Sequence, residues 1–186
     1  KESQEVLRTA MAMGVDKAIH VNTDLRVDQA IQPLHVAQII KLLADREKPD
    51  VILAGKQSID DDFGQTGQMI AGLLNLPQIT NAVKSDVDSG KKGATVTREG
   101  DIGEQTYEIQ FPAVITADLR LNEPRYATLP NIMKARKKPI EVIELNALLE
   151  KLDVYTEVVK VEDPPSRPPG KKVNSVDELI AELKSK

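Results

Sequence analysis

Cysteine and tryptophan are absent from the 186 residues, and histidine occurs only twice. Without cysteine there is no disulfide framework and no thiolate to act as nucleophile or metal ligand, which is compatible with a reducing compartment. The aromatic residues are limited to Phe63, Tyr107, Phe111, Tyr126 and Tyr155, poor material for stacking on single-stranded bases. Positive charge is not in excess: 25 Lys and Arg stand against 29 Asp and Glu, a net charge of −4. No global basic field therefore attracts nucleic acid or anionic lipid. No apolar run approaches the ~20 residues that span a bilayer, so membrane insertion is not expected. No signal-peptide pattern opens the chain. Lys1 falls inside helix-like periodicity, and an N-terminal portion is expected to be missing.

What is present suits a soluble globular protein, with 40% apolar and 29% charged residues. A chain of this length buries roughly 70% of its unfolded surface, enough for a core of its own. Gln4 to Met13 carries Val6, Leu7, Ala10, Met11 and Met13 at helical spacing, and Gly14 stops the pattern. A short β run follows at 17–22. Pro33 opens a second helical stretch with Leu34, Val36, Ile39, Ile40, Leu42 and Leu43 on one broad side. Val51 to Ala54 is continuously apolar, the pattern of a central parallel strand buried on both faces. Met69, Ile70, Leu73 and Leu74 form a third helical face, ended by Asn75 and Pro77. The α-β-α-β-α order over residues 1–76 predicts a doubly wound, mostly parallel α/β sheet.

The middle of the chain changes character. The segments AVKSDVD, GATVTRE, QTYEIQF and PAVITAD are short, β-rich and separated by Gly, Asp and Pro. They predict appended antiparallel strands, with SGKKG (89–93) as a hairpin connection. Residues 140–143 and 155–161 read as further β pieces, with a short helix near 145–152. Residues 162–172 hold four prolines and read as an extended linker. Ser175 with Glu178 makes a capping box for a last amphipathic helix carrying Val176, Leu179, Ile180 and Leu183. The expected organisation is an α/β nucleotide-binding domain over 1–161 and an arm over 162–186 that packs on something other than its own domain.

Two segments carry chemistry. The first runs from Gly55 to Thr66, after a parallel strand, where open α/β sheets place their ligand crevice. Gly55 permits close approach or positive φ. Asp62 and Gln65 fit an N-cap and N3 pair, so a helix is expected to begin within DFGQT. Its free amides, with Gln65, Thr66 and the small Gly64, make an anion site. Asp60, Asp61 and Asp62 repel phosphate but accept hydrogen bonds from ribose hydroxyls, and aspartate suits a helix N-terminus. Two other readings stand beside the nucleotide: a solvated acidic loop with a good cap, or a divalent cation. For the cation, the spacing of a calcium loop is lacking.

The second segment, Ala117 to Pro139, sets apolar Leu129, Ile132 and Met133 among Arg120, Arg125, Lys134, Arg136, Lys137 and Lys138. Pro124 and Pro130 disfavour helix just before them, so an ordered loop with a short helical turn is expected. Either the apolar residues tuck into the core under a solvated basic rim, or they form a docking surface whose charge steers acidic partners. His20 and His35 are isolated and have no partner group at the spacing that acid–base work needs, so neither is expected to be catalytic.

GKQSIDDDFGQTGQ and ADLRLNEPRYATLPNIMKARKK, flanked by RTAMAMGVDKAIHV and VEDPPSRPPG, resemble the beta subunit of electron transfer flavoprotein over essentially the whole chain. The resemblance implies a non-catalytic subunit of a heterodimer with an alpha subunit, with an adenine nucleotide α-hydrolase-like fold that hydrolyses nothing. It implies one FAD held mainly by alpha and one structural AMP held by beta. Electrons would come from acyl-CoA dehydrogenases of fatty acid beta-oxidation and pass to electron transfer flavoprotein–ubiquinone oxidoreductase. The location would be the mitochondrial matrix, or the cytoplasm in a bacterium. The AMP-binding run maps onto Gly55, Lys56, Gln57, Ser58, Ile59, Asp60, Asp61, Asp62, Phe63, Gly64, Gln65 and Thr66. The partner recognition loop maps onto Arg125, Tyr126, Ala127, Thr128, Leu129, Pro130, Asn131, Ile132, Met133, Lys134, Ala135, Arg136, Lys137, Lys138 and Pro139. Leu129 would be its anchor, and Lys134 and Lys137 fall on positions methylated in some members.

Phe63 and Gly64 stand where some mammalian members have Cys and Asn, so one side-chain contact to the phosphate is expected to pass to backbone. The family's N-terminal strand region, which supplies further AMP contacts, has no counterpart here. Two rivals are a free-standing adenine-nucleotide sensor of the same fold and an ATP pyrophosphatase. The latter wants a Ser-Gly-Gly phosphate loop that this chain lacks.

Overall fold

The computed structural model describes residues 2–25, 30–90, 92–149 and 152–185. Helix α1 (Glu2–Ala12) is followed by β1 (Ile19–Asn22), α2 (Pro33–Glu47), β2 (Val51–Gly55) and α3 (Thr66–Leu74). The β-rich middle forms β3 (Gln78–Val87), β4 (Gly93–Gly100), β5 (Gly103–Gln110) and β6 (Ala113–Ala117). Then come α4 (Leu129–Lys137), β7 (Glu141–Glu144), α5 (Leu145–Leu148) and α6 (Val176–Lys184). The α-β-α-β-α opening expected from periodicity is present, and the architecture is mixed α/β with a mostly parallel centre.

The strands form two sheets. β1 and β7 pair in parallel, and a five-stranded sheet runs β2-β6-β3-β4-β5. β6 lies parallel to both β2 and β3, and the β3-β4-β5 meander is antiparallel. The SGKKG connection joins β3 to β4; its Lys91 lies outside the described residues.

Three strand expectations are corrected, the first being PAVITAD, which forms β6 and runs parallel to both its neighbours rather than antiparallel. β2 is an edge strand rather than a central one, and its Leu53 is 66% exposed. The interior strand of the parallel part is β6, between β2 and β3, where Ala113, Val114, Ile115 and Thr116 are all buried. An all-apolar run marks a strand that can be covered on both faces but cannot name its neighbours. Residues 155–161 form no strand: they are exposed throughout and pair with no sheet edge.

α2 holds the two sheets together. Ala37 and Ile40 pack with Ile70 and Ala71 of α3 over Val114 and Ile52. Val36, Ile39 and Leu43 meet Val21, Leu145 and Leu148 over the other sheet. Pro33 sits in the first turn, where its missing N–H costs nothing, and Lys48 ends the helix in the left-handed region. α3 approaches β6 so closely that a Cβ on Gly67 would lie 2.3 Å from Thr116 Cγ2. Only glycine fits there, and the contact sets the depth at which α3 starts.

α1 and α4 make a second layer. Met11 and Ala12 bury against Ala18 and Ala135, with Leu7, Ala127, Ile132 and Ile140 around them. Gly14, at φ +116°, ends α1. No helix among the described residues is long and apolar enough to cross a membrane. Residues 162–172 are exposed and carry no helix or strand. α6 follows, with Ser175 Oγ accepting from the Glu178 amide at 3.2 Å and Glu178 Oε2 accepting from the Asn174 amide at 2.8 Å. The carboxylate thus reaches one residue beyond the expected capping box.

Candidate nucleotide site and recognition helix

β2 and β6 end side by side, and the chain leaves β2 with the Lys56 amide still donating to Ala117 O at 3.0 Å. Lys56 Nζ then turns back to Asp118 Oδ2 at 2.6 Å. Asp118 is 5% exposed, and a buried carboxylate of this kind needs such a partner. The hydrogen bond from Lys56 holds its carboxyl below the usual carboxylate range, against burial, which pushes it up. The Arg120 amide adds a contact to Oδ1 at 3.2 Å. The root of the acidic loop is therefore tied to the end of the buried strand.

The loop from Gln57 to Gln65 is folded on itself. Gln57 Nε2 donates to the Asp62 carbonyl at 2.9 Å and to the Asp62 carboxylate. Asp61 Oδ1 accepts the Phe63 amide at 3.1 Å, and the Asp60 amide donates to Ser58 Oγ at 3.3 Å. Asp62 and Gly64 lie in the left-handed region, at φ +59° and +57°. The helix begins within DFGQT as expected, but its cap is corrected. Asp62 is not the N-cap; the left-handed bend delays the helix to Thr66, with Gln65 as N-cap and no side-chain cap bond. Gly55 does not use the positive φ open to it, and a Cβ there would meet no atom of this chain within 4 Å.

A pocket of about 490 Å³ opens beside this loop, within the ~300–1,000 Å³ of small-molecule sites. Ser58, Asp60, Asp61, Phe63 and Thr66 line one side; Ile31, Gln32, Pro33 and Val36, at the start of α2, line another. Thr156 and Val158 supply a third. The first turns of both α2 and α3 thus border one crevice with the positive ends of their dipoles; α3 brings free amides, whereas Pro33 has no N–H and the His35 and Val36 amides donate to Gln32 O. The Thr66 hydroxyl can donate, the Ser58 hydroxyl donates to Asp60 Oδ2 at 3.1 Å and can reach a ligand only by turning from it, and the carboxylates of Asp60 and Asp61 can accept. Among the described residues, no three His, Asp or Glu side chains converge as a metal-holding group.

Lys56, Gln57, Ile59, Asp62, Gly64 and Gln65 do not line the pocket; they shape the loop. Ile59 is almost fully exposed at its tip.

The second segment divides. Residues 125–128 are irregular, and 129–137 form α4, nine residues rather than a single turn. Ile132 and Ala135 face α1. Leu129 is 73% exposed, and Tyr126 and Met133 are exposed as well. The apolar trio is therefore split: one residue goes to the core and two face solvent. Thr128, Pro130, Asn131, Lys134, Arg136, Lys137 and Pro139 are exposed with them. The segment is tied to α1 at three points. Arg8 Nη1 donates to Ala135 O at 2.7 Å and Lys138 O at 3.1 Å. Lys138 Nζ donates to Val15 O at 3.1 Å, and the Arg125 guanidinium lies over Gly14. A cation on the last carbonyls of a helix satisfies them and suits the dipole.

Sequence reasoning missed Asp118, Arg8, Gln32 and Thr156. For Asp118 a signal existed: an acid just past the end of a parallel strand. For Thr156 there was none, since its segment has no regular structure.

The Electron transfer flavoprotein domain family matches residues 1–148. The bovine and human proteins named electron transfer flavoprotein subunit beta are each 51% identical over 183 residues, covering 98% of this chain and 71% of theirs. The Arabidopsis thaliana protein named electron transfer flavoprotein subunit beta, mitochondrial, is 51% identical over 181 residues, covering 97% of this chain and 70% of its own.

Proposed function

Since the chain belongs to the electron transfer flavoprotein family, as a relative of its beta subunits, we propose that it carries electrons from acyl-CoA dehydrogenases to electron transfer flavoprotein–ubiquinone oxidoreductase. It does so as one half of a heterodimer with an alpha subunit. The flavin, FAD held mainly by the alpha subunit, supplies the one-electron chemistry. This chain's own residues bind AMP, share the subunit interface and capture the donor. The site of action is the mitochondrial matrix, or the cytoplasm of a bacterium.

The observation that carries the AMP reading is the crevice where the first turns of α2 and α3 meet the acidic loop. Its donor set fits an adenylate. The uncapped start of α3 and the Thr66 and Ser58 hydroxyls suit phosphate, and Asp60 and Asp61 suit ribose hydroxyls. The Lys56–Asp118 pair keeps the loop in place without spending its charge on the ligand.

Donor capture rests on α4. Leu129 stands exposed at the start of α4 as an apolar anchor, and Lys134, Arg136 and Lys137 bring exposed positive charge to the last turn of the same helix. A central apolar residue in a charged rim is the pattern that combines affinity with steering. Lys134 and Lys137 are open to a methyltransferase, and methylation keeps their charge. The arm over 162–186 presents α6, whose Leu179, Ile180 and Leu183 are partly exposed, to the alpha subunit.

Rapid mixing of the heterodimer with a reduced acyl-CoA dehydrogenase tests the reading. The expected result is reduction of the flavin by the donor. A flavin that a chemical reductant bleaches but the dehydrogenase does not would contradict it.

A further inference from the structure

His35 is 1% exposed, and neither proposed activity uses it. It occupies the first turn of α2, and both ring nitrogens are engaged. Nδ1 accepts from the Gln32 amide at 3.0 Å, and Nε2 lies 2.9 Å from Asp153 O. The first contact makes Nδ1 an acceptor, so the proton sits on Nε2 and is donated to the Asp153 carbonyl. One neutral imidazole thus bridges the start of a helix to a segment 118 residues away in sequence.

That segment has no regular structure of its own, and residues 153–158 are exposed. It nevertheless forms one wall of the pocket, through Thr156 and Val158. The residue whose amide donates to His35 extends the grip, since Gln32 Nε2 donates to Thr156 Oγ1. Leu149 and Leu152 pack just before it, against Ile31 and Ile39. Among the described residues this stretch pairs with no strand, so side-chain contacts of this kind help to hold it in one position.

We propose that His35 is a positioning residue, a latch that fixes residues 153–158 as the third wall of the pocket. Where that pocket holds a nucleotide, as proposed above, latch and ligand are coupled: each is stabilised by the other.

The test uses the full-length protein in complex with its alpha subunit, as wild type, His35→Leu, His35→Gln and Thr156→Val. Backbone hydrogen exchange is followed over 153–158 and AMP affinity by equilibrium dialysis. His35→Leu removes both contacts and is expected to speed exchange over 153–158 about tenfold, the effect of about 1.4 kcal/mol, with β6 unchanged. Glutamine offers an acceptor oxygen and a donor nitrogen, so His35→Gln is expected to restore most of the protection, which a merely space-filling role would not require. Thr156→Val acts from the segment's own side, leaves the α2 core intact, and is expected to speed the same amides. AMP should bind about tenfold more weakly to His35→Leu.

Unchanged exchange over 153–158 in both His35→Leu and Thr156→Val overturns the latch, whatever AMP does. Faster exchange that His35→Gln fails to reverse also overturns it. A wild type that binds no AMP defeats the nucleotide reading instead, while faster, glutamine-reversible exchange still upholds the latch.

Discussion

Lys56 and Asp118 join the ends of two parallel neighbours, with Nζ 2.6 Å from Oδ2 at the root of the acidic loop. The carboxyl's depressed titration, caused first by the Lys56 hydrogen bond, gives the pair a defined pH signature. A carboxylate whose folded value lies below its unfolded value adds stability above the unfolded value and loses it as pH falls through the folded one. Asp118→Asn is therefore expected to lower the melting temperature at neutral pH. The gap to wild type should hold down to about pH 4 and close below it. Melting curves across that range check this; a gap that widens in acid would reject the assignment.

Leu129 stands exposed on the same helix whose Ile132 is packed inside. Leu129→Ala is expected to change stability by less than about 0.5 kcal/mol yet to raise the apparent KM for a donor dehydrogenase about fivefold or more, the mark of an anchoring residue. Ile132→Ala should do the reverse, with loss of stability first. Thermal melts beside donor kinetics separate the two. Equal effects of both substitutions on stability would remove the distinction.

Arg8 ties α4 to α1 through two carbonyls. Its loss leaves the Lys138 carbonyl without this partner, while the Ala135 carbonyl keeps only the Lys138 amide at 3.2 Å. Arg8→Ala is expected to cost about 1.5–3 kcal/mol, the range for hydrogen bonds to a charged group. Arg8→Lys should recover part of that, because one ammonium lacks the guanidinium's planar fork. Urea titrations report the cost. Exchange at the last amides of α4 reports whether the helix end frays.

Gly67 lies so close to Thr116 that a Cβ on it would come within 2.3 Å of Thr116 Cγ2. Gly67→Ala is expected to destabilise by about 1–3 kcal/mol through overpacking. Thr116→Ser removes the opposing methyl and keeps the hydroxyl that accepts the Asn81 amide at 3.0 Å. The double variant should therefore recover much of the loss. Additive costs in this cycle would show that the contact is not the cause.

Much of this could be read from the chain alone. Helical spacing marked α1, α2 and α3, and Pro33 and Gly14 marked their ends. The acidic loop and the basic segment were both found, because Gly, Pro and clustered charge interrupt periodicity visibly. Neighbour relations were not legible. PAVITAD reads as another antiparallel strand, yet β6 enters in parallel between β2 and β3, taking the interior, doubly covered place expected of β2. Asp62 looks like a cap from its spacing to Gln65. Its side chain is instead bound by Gln57 in a left-handed turn, a contact that depends on loop geometry. His35 appeared inert, since its two partners, Gln32 and Asp153, are backbone groups that no side-chain pattern reveals.

Steering by the basic rim is open to salt. The donor association rate is expected to fall as ionic strength rises, since the Debye length shrinks from about 10 Å at 0.1 M to about 3 Å at 1 M. Stopped-flow rates over that range check it, and indifference to salt would remove Lys134, Arg136 and Lys137 from the docking account.

The central claim is that this chain clasps an adenylate in the crevice between α2, α3 and the acidic loop while serving a flavin-bearing partner. Native mass spectrometry of the intact complex tests it most directly. The account predicts one species whose mass equals this subunit, an alpha subunit, one FAD and one AMP, with the AMP lost when Thr66 and Ser58 are replaced. A lone subunit carrying neither group, or a heterodimer with FAD and no adenylate, would contradict it.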